Sequence, residues 1–180
     1  MKRQENIYKM IISAVCLSLA YALPFLTGQV PEIGSMLCPM HIPVLLCGFI
    51  CGWQWGGVVG FIAPLSRSLI LGAPIFFPNA ICMAFELAAY GISAGIMNKV
   101  LPQKKLYIYC SLVISMIFGR IVWGISMAIS LGLTNKSFGF SAFLAGALTN
   151  AVPGIIAQLI IIPLIVIAVN SLNIFKNPEI

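Results

Sequence analysis

The stretch HIPVLLCGFICGWQWGGVVGFIAPLSRS, residues 41–68, contains two apolar segments separated by the glycine-rich turn GWQWGG. We predict a short helix over about residues 41–53 and a second over about residues 55–71. Pro43 falls in the first helical turn, where its missing N–H costs nothing. Both segments are marginal as membrane spans, so they form either two short spanning helices or a re-entrant hairpin buried against protein. Either way the chain returns to the side it left, and the topology of the other helices is the same.

The composition of the chain predicts a membrane protein. Of its 180 residues, 61% are apolar and 8% are charged, and the mean hydropathy is +1.05. A soluble domain has roughly 25% charged residues, and one membrane span needs about 20 mostly apolar residues. We therefore predict an all-α integral membrane protein that forms a single membrane domain over residues 1–180, with no soluble catalytic domain. The net charge of +6 rests on few ionisable groups and does not indicate nucleic-acid binding.

The apolar runs predict a six-helix transmembrane bundle in which helices 2 and 3 are short. The predicted helices span about residues 7–26, 41–53, 55–71, 79–98, 106–131 and 141–169. The basic start of helix 1 and its Ala20-Tyr21-Ala22 are similar to a secretory signal peptide with its cleavage site. We favour a retained helix, because the run is long enough to span and a whole membrane protein follows. The chain has no internal repeat, which argues against a transporter built from two related halves.

Lysine and arginine predict the orientation, because these residues concentrate in cytoplasmic loops. With the N-terminus inside, the predicted cytoplasmic segments contain Lys2, Arg3, Lys9, Lys99, Lys104, Lys105 and Lys176. The predicted external loops contain only Lys136. Both termini are therefore predicted to be cytoplasmic, and the loops after helices 1, 3 and 5 are predicted to be external.

Polar residues at membrane depth gather on one side of the predicted bundle. They are His41, Arg67, Glu86, Arg120 and Asn150. A charge at this depth costs at least about 2.5–3.5 kcal/mol and usually faces protein or a water-filled cavity. At a rise of about 1.5 Å per residue, all five lie in the outer half of the membrane. An outer-half cavity with a few polar groups is typical of a small-molecule site.

Helical spacing adds two residues to this site, because Asn79 shares a face with Glu86, and Trp123 shares a face with Arg120. The predicted substrate-binding set is His41, Arg67, Asn79, Glu86, Arg120, Trp123 and Asn150. Two alternatives stay open. Glu86 and Arg120 can neutralise each other as a structural pair, and Arg67 can extend its charge to the outer interface.

His41 raises the question of a metal site, since Cys38 and Met40 precede it and soft metals favour such donors. The chain has one histidine, no aspartate and no CxxC pair, so a second donor cluster is missing. The six cysteines lie mostly in apolar runs, where they are interpreted as small packing residues. We predict no metal, no cofactor and no catalytic residue.

Small residues recur along helix 1 at every fourth position, at Ala14, Ser18 and Ala22. Such a ridge lets another helix approach closely. The neighbour is either a helix of the same bundle or a separate membrane subunit.

Taken with the size of six helices, several of these features resemble the substrate-binding S component of energy-coupling factor (ECF) transporters, which import vitamins in prokaryotes. They are the hairpin HIPVLLCGFICGWQWGGVVGFIAPLSRS, the fourth helix FPNAICMAFELAAYGISAGI and the ridge of helix 1. The family has an alanine-rich docking motif, in which Ser18 here replaces the second alanine. The turn GWQWG lacks the proline that often follows its first glycine.

The resemblance implies a vitamin-binding protein of the prokaryotic cell membrane. Its vitamin would bind under the external loops, and helix 1 would dock to a transmembrane coupling subunit driven by two ATPase subunits. The chain has no GxxxxGK[ST] loop, so ATP hydrolysis would belong to those partners. Two arginines and a histidine against one glutamate suit a neutral substrate or a carboxylate such as pantothenate. Pyridoxine or a hydroxymethylpyrimidine would equally suit stacking on Trp123.

Two other classes of protein compete with this reading. A membrane enzyme would need a motif such as HExxH or GxSxG, and one histidine with one mid-membrane acid does not supply it. A self-sufficient secondary carrier or channel would use Glu86 as its proton site and would transport without ATPase partners. Uptake measured with and without the coupling subunits distinguishes this carrier from an S component.

Overall fold

A computed structural model describes residues 2–26, 38–102, 104–134, 139, 143 and 151–171. Over these residues the chain forms six α-helices and no strand, which confirms the all-α prediction. The helices are α1 (Lys2–Leu26), α2 (His41–Cys51), α3 (Trp53–Leu71), α4 (Ile81–Val100), α5 (Lys105–Gly132) and α6 (Val152–Ser171), and a π-helical turn, Phe76–Ala80, precedes α4.

Four segments among the described residues are long and apolar enough to cross a membrane. They are Arg3–Phe25, Phe76–Val100, Lys105–Gly132 and Val152–Ser171. Helix α2 has 11 residues, which gives it a length of about 16 Å, about half of a hydrocarbon core of about 30 Å. Helix α3 has 19 residues but contains Gln54 and Arg67, and it is not among the four.

The outer face of α5 supports a membrane environment. Val113, Ile117, Ile121, Ile125 and Ile129 follow one another at every fourth position and are all exposed. Residues at this spacing form one stripe along a helix. A continuous apolar stripe of this length is unfavourable in water and favourable against lipid chains. The structure therefore agrees with a multi-pass membrane protein, whereas its orientation in the membrane stays a prediction.

The turn between α2 and α3 is tighter than predicted. Helix α2 ends at Cys51 and α3 begins at Trp53, so Gly52 alone connects them. Gly52 has φ 94° and ψ 172°, a backbone conformation that is essentially restricted to glycine. The first glycine of GWQWGG therefore makes the turn, and the tryptophans and glycines that follow belong to α3.

Other helix boundaries also differ from the predicted ones. Helix α1 begins at Lys2 instead of Ile7, and its exposed first turns include an ion pair of 2.6 Å between Lys9 and Glu5. Such pairs four residues apart stabilise a helix. Asn79 lies in the π-helical turn and not at the start of α4. Most of 141–150, which was predicted to begin helix 6, lies outside the described residues.

Consecutive helices run in opposite directions. The end of α4 packs on the start of α3, where Gly95 meets Trp53. The start of α4 packs on the end of α5, where the Sγ of Cys82 lies 3.4 Å from the Oγ of Ser130. The end of α1 lies beside the end of α3, where the ring of Phe25 faces Arg67. The C-termini of α1, α3 and α5 therefore lie at the same end of the bundle as the N-termini of α2 and α4. We call this end the predicted external end.

Glycines hold α2, α3 and α4 together at the centre of the bundle. A Cβ atom added to Gly56 of α3 would lie 2.7 Å from the Cα of Gly48 in α2 and 2.7 Å from the carbonyl oxygen of Gly91 in α4. Three backbones therefore meet at one level with no room for a side chain. Close backbone contact of this kind is typical of helix packing in membranes.

Two apolar clusters complete the packing of the bundle. The first joins α2 to α4, α5 and α6 and includes Leu45, Tyr90, Leu112 and Ile162. The second joins α1 to α2, α3 and α4 and includes Cys16, Val44, Val59 and Leu87. Helix α2 contributes to both clusters, so the short helix is buried at the centre of the bundle.

The glycine contact gives a prediction on stability. Gly56→Ala should lower the unfolding temperature of the detergent-purified protein, because overpacking a tight contact costs about 1–3 kcal/mol. Gly132→Ala is the matched control, since a Cβ atom there meets nothing within 4 Å. Equal unfolding temperatures for the two variants would contradict the contact.

Candidate functional site

Glu86 of α4 lies at the centre of a buried polar cluster. Its residue surface is 1% exposed. The Nη1 of Arg120 in α5 donates a hydrogen bond of 2.9 Å to the Oε1 of Glu86. The structure therefore brings together two of the residues that the sequence selected, across two different helices. A carboxylate at this depth requires such a cationic partner, because an unpaired buried charge is costly.

His41, the first residue of α2, faces the same carboxylate. Its Nε2 lies 3.3 Å from the Oε1 of Glu86, but neither ring nitrogen makes a hydrogen bond of acceptable geometry. The imidazole ring also contacts the ring of Tyr90 edge-to-face, with 5.1 Å between the centroids. His41 is thus held by packing against Tyr90 with its Nε2 beside the carboxylate, and its ring nitrogens keep hydrogen-bonding capacity that this geometry does not use.

Cys38 ties the segment before α2 to this cluster. The Nη2 of Arg120 donates to its Sγ at 3.5 Å, and its carbonyl oxygen accepts a 3.0 Å hydrogen bond from the N–H of His41. Cys38 has a positive φ of 46°, which is uncommon for a residue with a side chain. Burial raises the pKa of its thiol, so Cys38 is a neutral ligand of the guanidinium. We call Cys38, His41, Glu86, Tyr90 and Arg120 the Glu86 cluster.

Tyr90 and Gly119 determine the spacing of α4 and α5 beside this cluster. Tyr90 lies one turn after Glu86 and is fully buried. Its ring rests directly on Gly119, where a Cβ atom would come within 2.8 Å of the ring. Because Gly119 precedes Arg120, the contact sets the distance over which the guanidinium reaches the carboxylate.

Arg67 of α3 occupies a separate position. It is 6% exposed, and its guanidinium carbon lies 5.8 Å from the centre of the Phe25 ring in α1. Its Nε has no hydrogen-bond partner. The end of α3 is fixed close by, since the Oγ of Ser68 donates a 2.6 Å hydrogen bond to the carbonyl oxygen of Pro74.

The remaining predicted site residues have different surroundings. Trp123 is partly buried and stacks on Phe143, with 6.2 Å between the ring centroids and 27° between the planes. Asn79 is exposed in the π-helical turn and does not share the buried face of Glu86. Asn150 lies outside the described residues. Of the predicted set, the structure thus joins His41, Glu86 and Arg120.

Gln158 of α6 is a buried polar residue outside the predicted substrate-binding set. This residue is 2% exposed, and its Oε1 makes no hydrogen bond. The signal was available, because Gln158 is the one amide in the long apolar run VPGIIAQLIIIPLIVIAV. Within the described part of the chain, buried polar atoms without a hydrogen bond belong to four residues, His41, Arg67, Arg120 and Gln158. Buried polar groups normally find a partner, so these four side chains retain unused hydrogen-bonding capacity.

The histidine and the cysteines were the candidate metal donors of the sequence. Over the described residues, no group of three or more histidine, cysteine, aspartate or glutamate side chains is arranged to hold a metal ion. Three further cysteines, Cys16, Cys47 and Cys51, pack in the apolar cluster between α1 and α2. They occupy the positions of small core residues.

The small-residue ridge of α1 faces away from the bundle. Ala14, Ser18 and Ala22 are exposed, whereas Cys16 and Ala20, between them, are buried. The hydroxyl of Ser18 donates a 3.0 Å hydrogen bond to the carbonyl oxygen of Ala14, so the ridge presents little polar surface. This face therefore remains accessible to another helix.

Comparison with known proteins assigns the family. The family model described as ECF transporter, substrate-specific component matches residues 8–166. Neither the curated proteins nor the solved structures gave a significant match. The match extends from the first turns of α1 to the last turns of α6 and includes every residue of the Glu86 cluster. The chain therefore belongs to the family of substrate-specific components of ECF transporters.

Proposed function

We propose that this chain captures a water-soluble vitamin or vitamin precursor at the predicted external end, for import across a prokaryotic cell membrane. Members of its family are the substrate-binding parts of a transporter and not enzymes. Pantothenate, pyridoxine and hydroxymethylpyrimidine are the candidate substrate types. The single observation that carries the proposal is the Glu86 cluster, a buried group of polar side chains in which some nitrogen atoms make no hydrogen bond.

The leftover hydrogen-bonding capacity argues for a ligand. Both ring nitrogens of His41 and the Nε of Arg120 are buried without a hydrogen bond. Leaving such a group unsatisfied costs about 1–3 kcal/mol, and more when the group is charged. A purely structural Glu86–Arg120 pair would require no histidine beside it. A polar molecule bound against His41 would satisfy these atoms.

Each side chain has a proposed role in holding the substrate. The Glu86–Arg120 pair fixes the floor of the site, because each charge orients the other. His41 offers one donor and one acceptor when neutral, and the amide of Gln158 offers both. Trp123 is proposed to supply an aromatic face for a ring, and Asn79 and Asn150 are proposed to add amide groups to the polar lining.

Transport itself requires partners. We propose that the exposed ridge Ala14, Ser18 and Ala22 docks to a transmembrane coupling subunit, which is driven by two ATPase subunits. The outward direction of these three residues supports this proposal, because the same spacing directed inward would only serve the bundle itself. Both termini are proposed to be cytoplasmic, so that the Glu86 cluster faces the external side before transport.

The proposed capture function gives a prediction about a bound molecule. The full-length protein, purified from cells grown in rich medium, should release a small polar molecule on denaturation, which mass spectrometry identifies. Glu86→Gln should reduce the amount released by about 10-fold or more, because a hydrogen-bonded charge contributes about 1.5–3 kcal/mol. Glu5→Gln, which removes an exposed carboxylate of α1, is the matched control. Release of no molecule by the wild type would contradict the proposal.

Gln158 gives a prediction that separates binding from stability. Gln158→Leu should keep or raise the unfolding temperature of the ligand-free protein, because it removes a buried unsatisfied oxygen while conserving shape. The same variant should retain less of the bound molecule. The control is Gln54→Leu on the exposed start of α3. Unchanged retention would show that Gln158 does not contact the ligand.

The small-residue ridge of α1 gives a prediction that separates docking from binding. Ser18→Leu should abolish cellular uptake of the identified substrate while leaving its binding to the purified chain intact, because a bulky side chain blocks helix approach. Val15→Leu, which enlarges an exposed residue beside the ridge, should preserve both activities. Loss of binding in Ser18→Leu would instead mean that the ridge serves the bundle. Uptake that persists without the coupling subunits would favour a self-sufficient carrier.

A further inference from the structure

We propose that Arg67 binds a carboxylate of the transported molecule, which makes that molecule an organic acid. This inference rests on the proposed capture function and adds the chemical class of its substrate. It is carried by a buried guanidinium that has no carboxylate partner in the described part of the chain, close to the predicted external end.

Burial of most of the Arg67 side chain argues against the simplest alternative, which is extension of its charge to the membrane interface. An arginine that extends to the membrane interface keeps its charged group in water. Arg67 is 6% exposed over the whole residue, and its Nε is buried without a hydrogen bond. The stem and the Nε of Arg67 are therefore enclosed by the protein, and the two terminal nitrogens are the part of the guanidinium that remains to contact a ligand.

The charges of the membrane-embedded residues do not balance. Glu86 is paired with Arg120 at 2.9 Å, so these two charges neutralise each other. Glu5 pairs with Lys9 on the first turns of α1. Glu32 and Glu179, the other two acidic residues of the chain, lie outside the described residues. Arg67 therefore adds one positive charge to the bundle that no described carboxylate offsets.

The contacts that Arg67 does make position it without neutralising it. The ring of Phe25 lies 5.8 Å below the guanidinium carbon, and a cation over an aromatic face is only partly compensated for lost water. The hydrogen bond from Ser68 to Pro74 fixes the next residue of α3. A guanidinium that is fixed at one face and lacks a hydrogen bond at its Nε can donate to a planar anion.

A single carboxylate fits this position better than other ligand chemistries. Arginine presents a planar fork of donors that matches a carboxylate in a two-point contact. One unit of negative charge balances one uncompensated arginine, whereas a phosphate ester would bring about 1.5–2 negative charges. A cationic or neutral substrate would leave Arg67 unpaired. The neutral candidate types are therefore disfavoured, and an acid such as pantothenate is favoured.

The test is to identify the molecule that the wild-type chain releases and to compare its retention in Arg67→Gln. We expect a carboxylic acid, and we expect Arg67→Gln to bind it about 10- to 100-fold more weakly, as for the loss of a charged hydrogen bond. Arg67→Lys should bind with intermediate strength, because it keeps the charge but loses the planar fork. Lys9→Gln, which removes a cation from the other end of the bundle, should bind as the wild type does.

Stability distinguishes a ligand-binding arginine from a structural one. The ligand-free Arg67→Gln protein should unfold at the same or a higher temperature than the ligand-free wild type, because an uncompensated buried charge has been removed. A lower temperature would indicate an internal partner. A double-mutant cycle of Arg67→Gln with Glu32→Gln then tests the nearest acidic residue in sequence, and coupling between the two would overturn the proposal.

The outcomes also separate this inference from the capture function. A neutral, cationic or phosphorylated ligand, or equal binding by Arg67→Gln, overturns the carboxylate assignment and leaves the capture of a small molecule intact. Release of no molecule by the wild type contradicts the capture function itself, and the carboxylate assignment with it.

Discussion

The carboxylate of Glu86 imposes the main constraint on this bundle. A negative charge inside an apolar helix packing is tolerated only when a cation lies against it, and Arg120 of α5 provides that cation at 2.9 Å. This requirement fixes the rotation of α4 relative to α5. It also explains the position of Gly119, because a larger residue would separate the helices at the Tyr90 ring. The placement of His41 over the same carboxylate oxygen then follows from the packing of α2 against α4.

The glycine contact between α2, α3 and α4 holds the short helix α2 in the position that places His41 over Glu86. Helix α2 has 11 residues, so it has few side chains with which to hold its place. Backbone contact at Gly48, Gly56 and Gly91 compensates for this by bringing the three helices as close as their main chains allow. Because α2 contributes to both apolar clusters, its N-terminus and His41 are held firmly at the predicted external end. The residues proposed to bind the substrate therefore lie on closely packed helices.

Two regions of the bundle differ in chemistry. The difference suits a family whose members are proposed both to bind a substrate and to dock to a partner subunit. Among the described residues, the buried polar atoms without a hydrogen bond belong to His41, Arg67, Arg120 and Gln158. The ridge on α1 is exposed, small and nearly free of polar groups. The buried polar groups suit the binding of a small polar molecule, and the exposed ridge suits contact with another membrane helix. A change in one surface can therefore leave the other unaffected.

Sequence alone determined the fold class, because long apolar runs leave a chain no alternative to spanning helices. It also selected Glu86 and Arg120, since charges within such runs are rare and need an explanation. The pairing of Glu86 with Arg120 was visible only in the tertiary structure. The two residues are 34 positions apart in sequence, and the way α4 packs against α5 brings them into contact. Periodicity placed Asn79 beside Glu86, but the π-helical turn breaks that phase and leaves Asn79 exposed. Gln158 was overlooked because one amide in an apolar helix becomes informative only when its oxygen is found buried and unpaired. The exposed direction of Ala14, Ser18 and Ala22 likewise depends on which face of α1 the other helices cover.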